Sequence, residues 1–287
     1  MACGQSLVDS EPHNIYHFHF TPQAQILLDR IASDGFPFGC RDIYTAQLLQ
    51  NLGYNTMLTG CAAWYDCLSD NITSTTFINK PIEHICISDC AGLRNANGLN
   101  IYPTYSIART ENIILTLKHN YPHAKLQFVF HRLMKPTHKP LLDFLKANSI
   151  PSINIAGSSD GFTIYDNCDL HVGFRVHAHI YNLSKRNRSI LIAEDARGCG
   201  VNDTLGLTTL KCFDSRDFIF DQPNFESIAK RLGRNNQYLT NQLNYLINSL
   251  EQTNWVQYNW TFHRMVFYYH QMIDHLSLLK NIHNKTV

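Results

Sequence analysis

The sequence lacks the features that mark several large classes of protein. Its 287 residues carry a net charge of only +1, so no charge excess draws the whole chain to nucleic acid or to an anionic membrane. No run approaches the roughly 18 apolar residues that a membrane span needs. The N-terminal stretch has no basic segment followed by an apolar one. We therefore expect a cytoplasmic protein with no integral membrane segment and no nucleic-acid partner.

Familiar cysteine and nucleotide motifs are absent as well. The nine cysteines form no C-x-x-C pair and are odd in number, which is typical of reduced, buried thiols and not of a disulfide framework or a zinc site. There is no G-x-G-x-x-G fingerprint, no P-loop and no G-x-S-x-G elbow. NAD-dependent, nucleotide-hydrolysing and α/β-hydrolase functions thus lose their main support.

What the sequence does contain is an alternation of short apolar runs with longer segments of helical periodicity. This alternation predicts βαβ units and a parallel sheet covered by helices. Two further helical stretches, 224–251 and 254–281, are rich in aromatic residues and are predicted to pack back on the body. The predicted strands are NTMLTGCAAW (55–64), HICISD (84–89), LQFVF (126–130), SINIAG (152–157), LHVGF (170–174) and SILIA (189–193).

Polar residues lie at the ends of four of these predicted strands. Parallel sheets bind ligands at the carboxyl ends of their strands, so residues at these positions are candidates for a site. They are Asp89 at the end of HICISD and Arg94 beyond it, His131 and Arg132 after LQFVF, Arg175 and His177 after LHVGF, and Glu194, Asp195 and Arg197 after SILIA.

The segment that contains Arg175 and His177 is the most informative of these. Arginines near a helix N-terminus bind phosphate or carboxylate well, and His177 in the first helical turn could donate a proton. Two alternatives stay open: a structural salt bridge from Arg175 to Glu194 or Asp195, and simple backbone partners for His177 and His179. A zinc site on the two histidines would need a third ligand to which the sequence does not point, so no metal is predicted.

A second candidate segment begins with Arg41 and Asp42. Asp42 is placed to cap the helix that follows, where an acidic residue complements the helix dipole. Arg41 is left to reach a ligand site, and we count it among the candidate substrate-binding residues.

Two blocks of the sequence resemble a known family. GCRDIYTAQLLQNLGYNTMLTGCAAW (39–64) is similar to the RD-x-x-T…L-x-x-x-G…TGCP segment of the polysaccharide pyruvyl transferases. GFRVHAHIYNLSKRNRSILIAEDARGCGVNDTLGL (173–207) resembles the R-[LV]-H-A-x-I segment of the same family and the strand and loop after it. The resemblance covers about residues 36–220.

The resemblance implies a fold and an activity. The fold would be GT-B-like, with two Rossmann-like parallel-sheet domains facing a cleft and helices at the C-terminus. Residues 1–80 would form a shortened N-terminal domain, 81–252 the donor-side domain, and 253–287 a helix on the body. Members of the family transfer pyruvate from phosphoenolpyruvate to a sugar of a cell-surface glycan or its precursor, and so form a ketal.

Residue roles follow from the same resemblance. Arg175 would bind the anion and His177 would be the general acid, while Arg132 matches a second arginine of the family. Glu194 and Arg197 would lie in a loop that closes the cleft. Phosphoenolpyruvate would be the donor substrate, no cofactor would be needed, and a glycan or lipid-linked sugar would be the acceptor; the oligomeric state is left open.

The chain also departs from the family pattern. The N-terminal N-x-G-D loop is missing, and Ala62 stands where the family often has proline. We therefore expect the phosphoenolpyruvate half of the site to match the family pattern more closely than the acceptor half.

Two other functions remain open. One is a nucleotide-sugar-dependent glycosyltransferase of the same architecture, and the other is a non-catalytic family member that acts as a binding protein.

Overall fold

The structure is a computed structural model, and the part of the chain that it describes is 19–33, 35–66, 72–77, 79–90, 103–212 and 225–283. Arg94 lies outside these residues. The strands are β1 (Phe38–Cys40), β2 (Thr56–Leu58), β3 (His84–Ser88), β4 (Lys125–Phe130), β5 (Ser152–Asn154), β6 (Leu170–Gly173), β7 (Arg188–Ala193) and β8 (Leu210–Lys211). The helices are α1 (Pro22–Ala32), α2 (Ile43–Asn51), α3 (Pro103–Asn120), α4 (Lys139–Ala147), α5 (Val176–Ser184), α6 (Ala196–Leu205), α7 (Phe225–Gln252) and α8 (Gln257–His283).

A six-stranded sheet forms the centre of the described part. Its strand order is β5-β4-β3-β6-β7-β8, and every pairing is parallel. Each connection between strands of this sheet that are consecutive in the chain contains an α-helix. The exception is the connection from β5 to β6, which contains a short 3-10 helix at Asp160–Tyr165. The predicted α/β class with a parallel sheet and flanking helices is confirmed.

Apolar side chains cover both faces of this sheet. Ile87 of β3 and Phe128 of β4 pack with Ile113 of α3 in the largest core cluster. On the opposite face, Cys86 and Val129 pack with Ala178, Tyr165 and Ile155. β7 is buried at every residue, as expected for a strand covered on both faces, which reads as a continuous apolar run.

The order of the strands creates a switch point between β3 and β6. From β3 the chain proceeds outward through β4 to β5, and it then returns to place β6 on the other side of β3 before continuing outward to β7 and β8. Open α/β sheets bind ligands in the crevice at such a point, beyond the carboxyl ends of the strands. The fold therefore predicts a ligand site beyond the ends of β3 and β6, whose last residues, Ser88 and Gly173, are register partners.

A smaller unit precedes the large sheet. β1 and β2 form a parallel pair, and α1 and α2 cover it with a separate apolar cluster that includes Leu28, Phe38 and Leu49. This unit contacts α6 directly: the backbone N–H of Ile43 donates to Thr204 Oγ1 over 2.9 Å.

The domain boundaries at 80 and 252 stay predictions, and so does a cleft between two Rossmann-like domains.

The C-terminal helices pack on the body, as the aromatic pattern predicts. Trp255, Tyr258, Phe262 and Met265 are buried in the largest core cluster. Tyr258 also completes the hydrogen bonding of β7, since its hydroxyl accepts from the N–H of Ser189 over 3.0 Å and donates to the C=O over 2.8 Å. Among the helices described, none combines the length and the apolar character needed to cross a membrane.

The predicted loop around Arg197 is wrong. The glycine-rich stretch after β7 forms α6, capped by the Asp195 side chain, which accepts from the backbone N–H of Arg197. The glycines permit close packing: a Cβ at Gly198 would lie 2.9 Å from Cβ of Ala193, and one at Gly200 would lie 3.0 Å from Oδ1 of Asp42. Here glycine serves helix packing and not loop flexibility.

The Tyr258 contact yields a stability prediction. Tyr258→Phe keeps the buried ring but leaves the N–H and C=O of Ser189 without partners, so the free energy of unfolding should fall by about 2 kcal/mol. Urea denaturation measures the change. Tyr245→Phe, at a side chain that is 77% exposed, is the control and should have no measurable effect. Equal stabilities of the two variants would contradict the assigned role of the Tyr258 hydroxyl.

Candidate functional site

The candidate site lies at the carboxyl edge of the large sheet, around the switch point. Asp89 follows β3, His131 follows β4, Arg175 follows β6 and Glu194 follows β7. Because parallel strands present these ends on the same edge, residues distant in sequence come together there. The structure thus gathers most of the residues that the sequence singled out.

A bidentate ion pair spans the switch point. Arg175 donates from Nε to Asp89 Oδ1 over 2.7 Å and from Nη2 to Asp89 Oδ2 over 2.6 Å. Both side chains are largely buried, with 13% and 6% exposed. Burial by itself lowers the pKa of Arg175, but the hydrogen bonds and charge of Asp89 outweigh it and raise that pKa. Arg175 thus forms a salt bridge, as one of the two alternatives from the sequence predicts. Its partner is Asp89, however, and not Glu194 or Asp195.

His177 lies in the first turn of α5, exposed at the same edge. Its pKa is lowered from the ordinary value, first by partial removal from water and then by the charges of Arg197, Arg41 and Arg175. The three arginines follow three separate strands, β7, β1 and β6, and the charge of each favours the neutral ring. We call Arg41, Arg175, Arg197 and His177 the arginine patch.

Arg41 reaches this patch from the small N-terminal unit. It follows β1 and precedes α2, and its side chain is 20% exposed. Nε lies 3.4 Å from Asp42 Oδ2, yet neither Nε nor Nη2 makes a hydrogen bond within the described residues. Asp42 instead caps α2 by accepting from the N–H and hydroxyl of Thr45, which confirms its predicted role. Arg41 therefore keeps donors for a ligand.

Arg197 and Glu194 border the patch on the β7 side. At the start of α6, Arg197 donates to Asp195 Oδ2 from Nη2 over 2.5 Å and from Nε over 3.0 Å, and Nε also donates to Oδ1 over 3.2 Å. Glu194 accepts from the thiol of Cys90 over 3.2 Å, and its charge raises the pKa of both Arg175 and Arg197. The carboxylates of Glu194 and Asp195 therefore lie on the β7 side of the site.

Arg132 lies at the same edge of the sheet, beyond β4. Its backbone carbonyl accepts from the side chain of Asn154 over 3.1 Å. Its Nη1 atom is buried and has no hydrogen-bond partner among the residues described. Like Arg41, Arg132 therefore holds a donor that a ligand could satisfy.

Asp89 and His131 are two residues at this edge to which the sequence alone assigns no role. Asp89 orients Arg175 and also accepts from the backbone N–H of His131 over 3.0 Å. His131 bonds through Nε2 to the buried hydroxyl of Tyr165 over 2.7 Å, and burial lowers its pKa to about 4. The signal available in the sequence was their position directly after a strand.

His179, by contrast, is fully buried and bonds to Ser189 over 2.7 Å, away from the exposed His177.

Comparison with known proteins identifies the family of the chain. The model of the polysaccharide pyruvyl transferase family matches residues 2–192, more than half of the chain. The chain belongs to the polysaccharide pyruvyl transferase family. A search of curated proteins gave no match.

Among solved structures, the S. aureus MnaA–UDP co-structure is similar at 12% identity, with a TM-score of 0.39. The alignment covers 74% of this chain and 60% of that one, so this chain spans less than two thirds of that structure. A likeness this distant does not identify a ligand for the present chain.

The arginine patch yields a prediction about the titration of His177. Arg197→Gln removes the nearby cation whose charge lowers the pKa of His177 most, so that pKa should rise towards its ordinary value. NMR titration of the ring protons measures the change. Lys139→Gln, which removes the same charge from the exposed surface of α4, should leave the titration unchanged. A pKa that stays constant or falls in Arg197→Gln would contradict the described arrangement.

Proposed function

We propose that this protein transfers pyruvate from phosphoenolpyruvate to a sugar, forming a ketal on a cell-surface glycan or its precursor. The observation that supports it most is that the charges of Arg41, Arg175 and Arg197 all act on the pKa of His177, an exposed histidine in the first turn of α5. Family membership is consistent with this chemistry.

The donor substrate needs several cations. Phosphoenolpyruvate carries a phosphate and a carboxylate, while the protein as a whole is almost neutral, so the anion must be bound locally. Arg175 would bind with its plane fixed by Asp89, and Arg41 and Arg132 would offer donors that no described residue uses. No side chain among those described caps the N-terminus of α5, so its first N–H groups add to the attraction.

The same charges explain how His177 could act as an acid. In the empty site the arginines lower its pKa, which favours the neutral ring. A bound dianion reverses the local field and raises that pKa, so the ring would take up a proton as the substrate binds. The protonated ring would then donate to the methylene carbon of phosphoenolpyruvate.

Proton donation makes the reaction balance without a redox group. The methylene becomes a methyl group, and C2 becomes electrophilic enough to bond to one sugar hydroxyl. A second hydroxyl of the same sugar then displaces inorganic phosphate and closes the ketal. Of the two hydroxyl protons, one replaces the proton that His177 has given, and the other leaves with the phosphate. The proposed chemistry therefore includes no cofactor.

The remaining candidates are given binding roles. Arg197 and Glu194 border the patch beside β7, and we assign them to positioning the donor phosphate and the incoming sugar respectively. The acceptor would be a glycan or a lipid-linked sugar. Preference for a nucleotide sugar over phosphoenolpyruvate would instead support the glycosyltransferase alternative.

The test combines binding and turnover. The purified protein is incubated with phosphoenolpyruvate and a panel of glycan and lipid-linked sugar acceptors, and phosphate release and ketal formation are measured. His177→Gln should lower kcat by about 10²–10⁴-fold, the range for loss of a general acid, while phosphoenolpyruvate still binds. His270→Gln, at an exposed histidine on α8, should leave kcat unchanged.

Two results would overturn the proposal. One is the absence of both phosphoenolpyruvate binding and phosphate release with every acceptor. The other is transfer by His177→Gln at the rate of the unaltered protein, which would remove His177 from the chemistry even if the activity itself is present.

A further inference from the structure

A chain of buried hydrogen bonds runs behind the site across one face of the sheet. Ser88 Oγ accepts from the backbone N–H of Arg175 over 3.2 Å and lies 2.9 Å from His171 Nε2. His171 Nδ1 lies 2.7 Å from Ser189 Oγ, which lies 2.7 Å from His179 Nδ1. All four polar side chains are at most 2% exposed.

Both histidines in this chain are uncharged. Burial lowers the pKa of His179 to about 3 and lowers that of His171 well below its ordinary value. A neutral imidazole has one N–H donor and one acceptor nitrogen, so each ring accepts a hydrogen bond on one side and donates one on the other, and both bonds run in the same direction along the chain. The whole chain therefore has only two possible polarities.

The two ends of the chain decide between them. At the far end, His179 Nε2 and Asn202 Oδ1 are both buried, and neither has a hydrogen-bond partner among the described residues. The Asn202 amide nitrogen donates to the carbonyl of Thr208 over 3.3 Å, so the oxygen is the atom of that amide left to accept a proton. Asn202 also raises the pKa of His179, as a neighbouring acceptor does, so we place the proton of His179 on Nε2.

The remaining protons follow from that assignment. With Nε2 protonated, His179 Nδ1 accepts from the hydroxyl of Ser189, whose oxygen accepts from Nδ1–H of His171. His171 Nε2 then accepts from the hydroxyl of Ser88. The opposite polarity would leave the Ser88 hydroxyl proton without an acceptor among the described residues and would set a lone pair of His179 against Asn202 Oδ1.

Both ends of the chain reach α5, the helix that carries His177. Arg175 is the N-cap residue of α5, and its N–H is held by Ser88. His179, at the other end, lies one turn further along the same helix. The close approach depends on a glycine, because a Cβ at Gly173 would lie 2.3 Å from Ser88 Oγ. The chain therefore fastens the start of α5 to β3, β6 and β7.

We propose that His171 and Ser189 are positioning residues, which hold the start of α5 against the sheet so that Arg175 and His177 keep their places at its carboxyl edge. Their importance for turnover rests on the proposed function. The hydrogen-bond polarity and the placement of His177 do not, and both can be measured without substrate.

The first measurement is ¹⁵N NMR of the histidine side chains in the full-length protein. His171 should be the tautomer protonated on Nδ1, and His179 the tautomer protonated on Nε2. The opposite tautomer at His171, or a charged ring at either position at neutral pH, would overturn the proposed polarity.

The second measurement follows the titration of His177 in Ser189 variants. Ser189→Ala breaks the chain at a buried site that does not touch His177, so the pKa of His177 should shift, and Ser189→Thr, which keeps a hydroxyl, should restore it. Ser184→Ala, which removes a buried hydroxyl of α5 outside the chain, is the matched control and should leave the titration unchanged. Unchanged titration in Ser189→Ala would refute the positioning role.

Turnover separates this proposal from the proposed function. If the protein forms the ketal, Ser189→Ala should lower kcat about tenfold through misplacement of the reacting groups, with recovery in Ser189→Thr. Correct tautomers and a shifted titration in a protein without pyruvyl transfer would refute the proposed function and leave the positioning inference standing.

Discussion

The ion pair between Arg175 and Asp89 is the interaction on which the rest of the site depends. It joins the ends of β3 and β6, which are adjacent only because the chain reverses its direction of travel across the sheet there. Breaking such a largely buried pair by removing one partner typically costs about 3–5 kcal/mol, because the remaining charge has no compensation. The pair therefore holds the ends of β3 and β6 together and fixes the orientation of the Arg175 guanidinium.

The other cations of the site differ in how far their donors are already used. Arg175 is held by Asp89 and Arg197 by Asp195, so both are oriented and partly neutralised in advance. Arg41 and Arg132 keep buried donors that no described residue accepts. Under the proposed function, a nearly neutral protein would bind a strongly anionic substrate with two oriented cations and two that complete their hydrogen bonding only when the ligand is present. The charges of Arg197, Arg41 and Arg175 lower the pKa of His177, which favours its neutral form before a ligand binds.

Local sequence rules predicted much of this fold and the identity of several site residues. Apolar runs and helical periodicity located the central strands and α5, and position after a strand selected Arg175, His177 and Glu194. Asp89 could not be identified as the partner of Arg175, because their contact depends on β3 lying beside β6, which is a property of the strand order. The loop around Arg197 was expected from the family resemblance alone. These residues form α6 instead, and its glycines allow close contact with Ala193 and Asp42.

The most direct test of the central claim is a crystal structure of the protein with phosphoenolpyruvate bound. We expect the ligand beyond the ends of β3 and β6, with its anionic groups on Arg175, Arg41 and the N-terminus of α5, and its methylene carbon within reach of His177. A well-occupied ligand elsewhere on the molecule, or one at this edge whose methylene carbon points away from His177, would contradict the account.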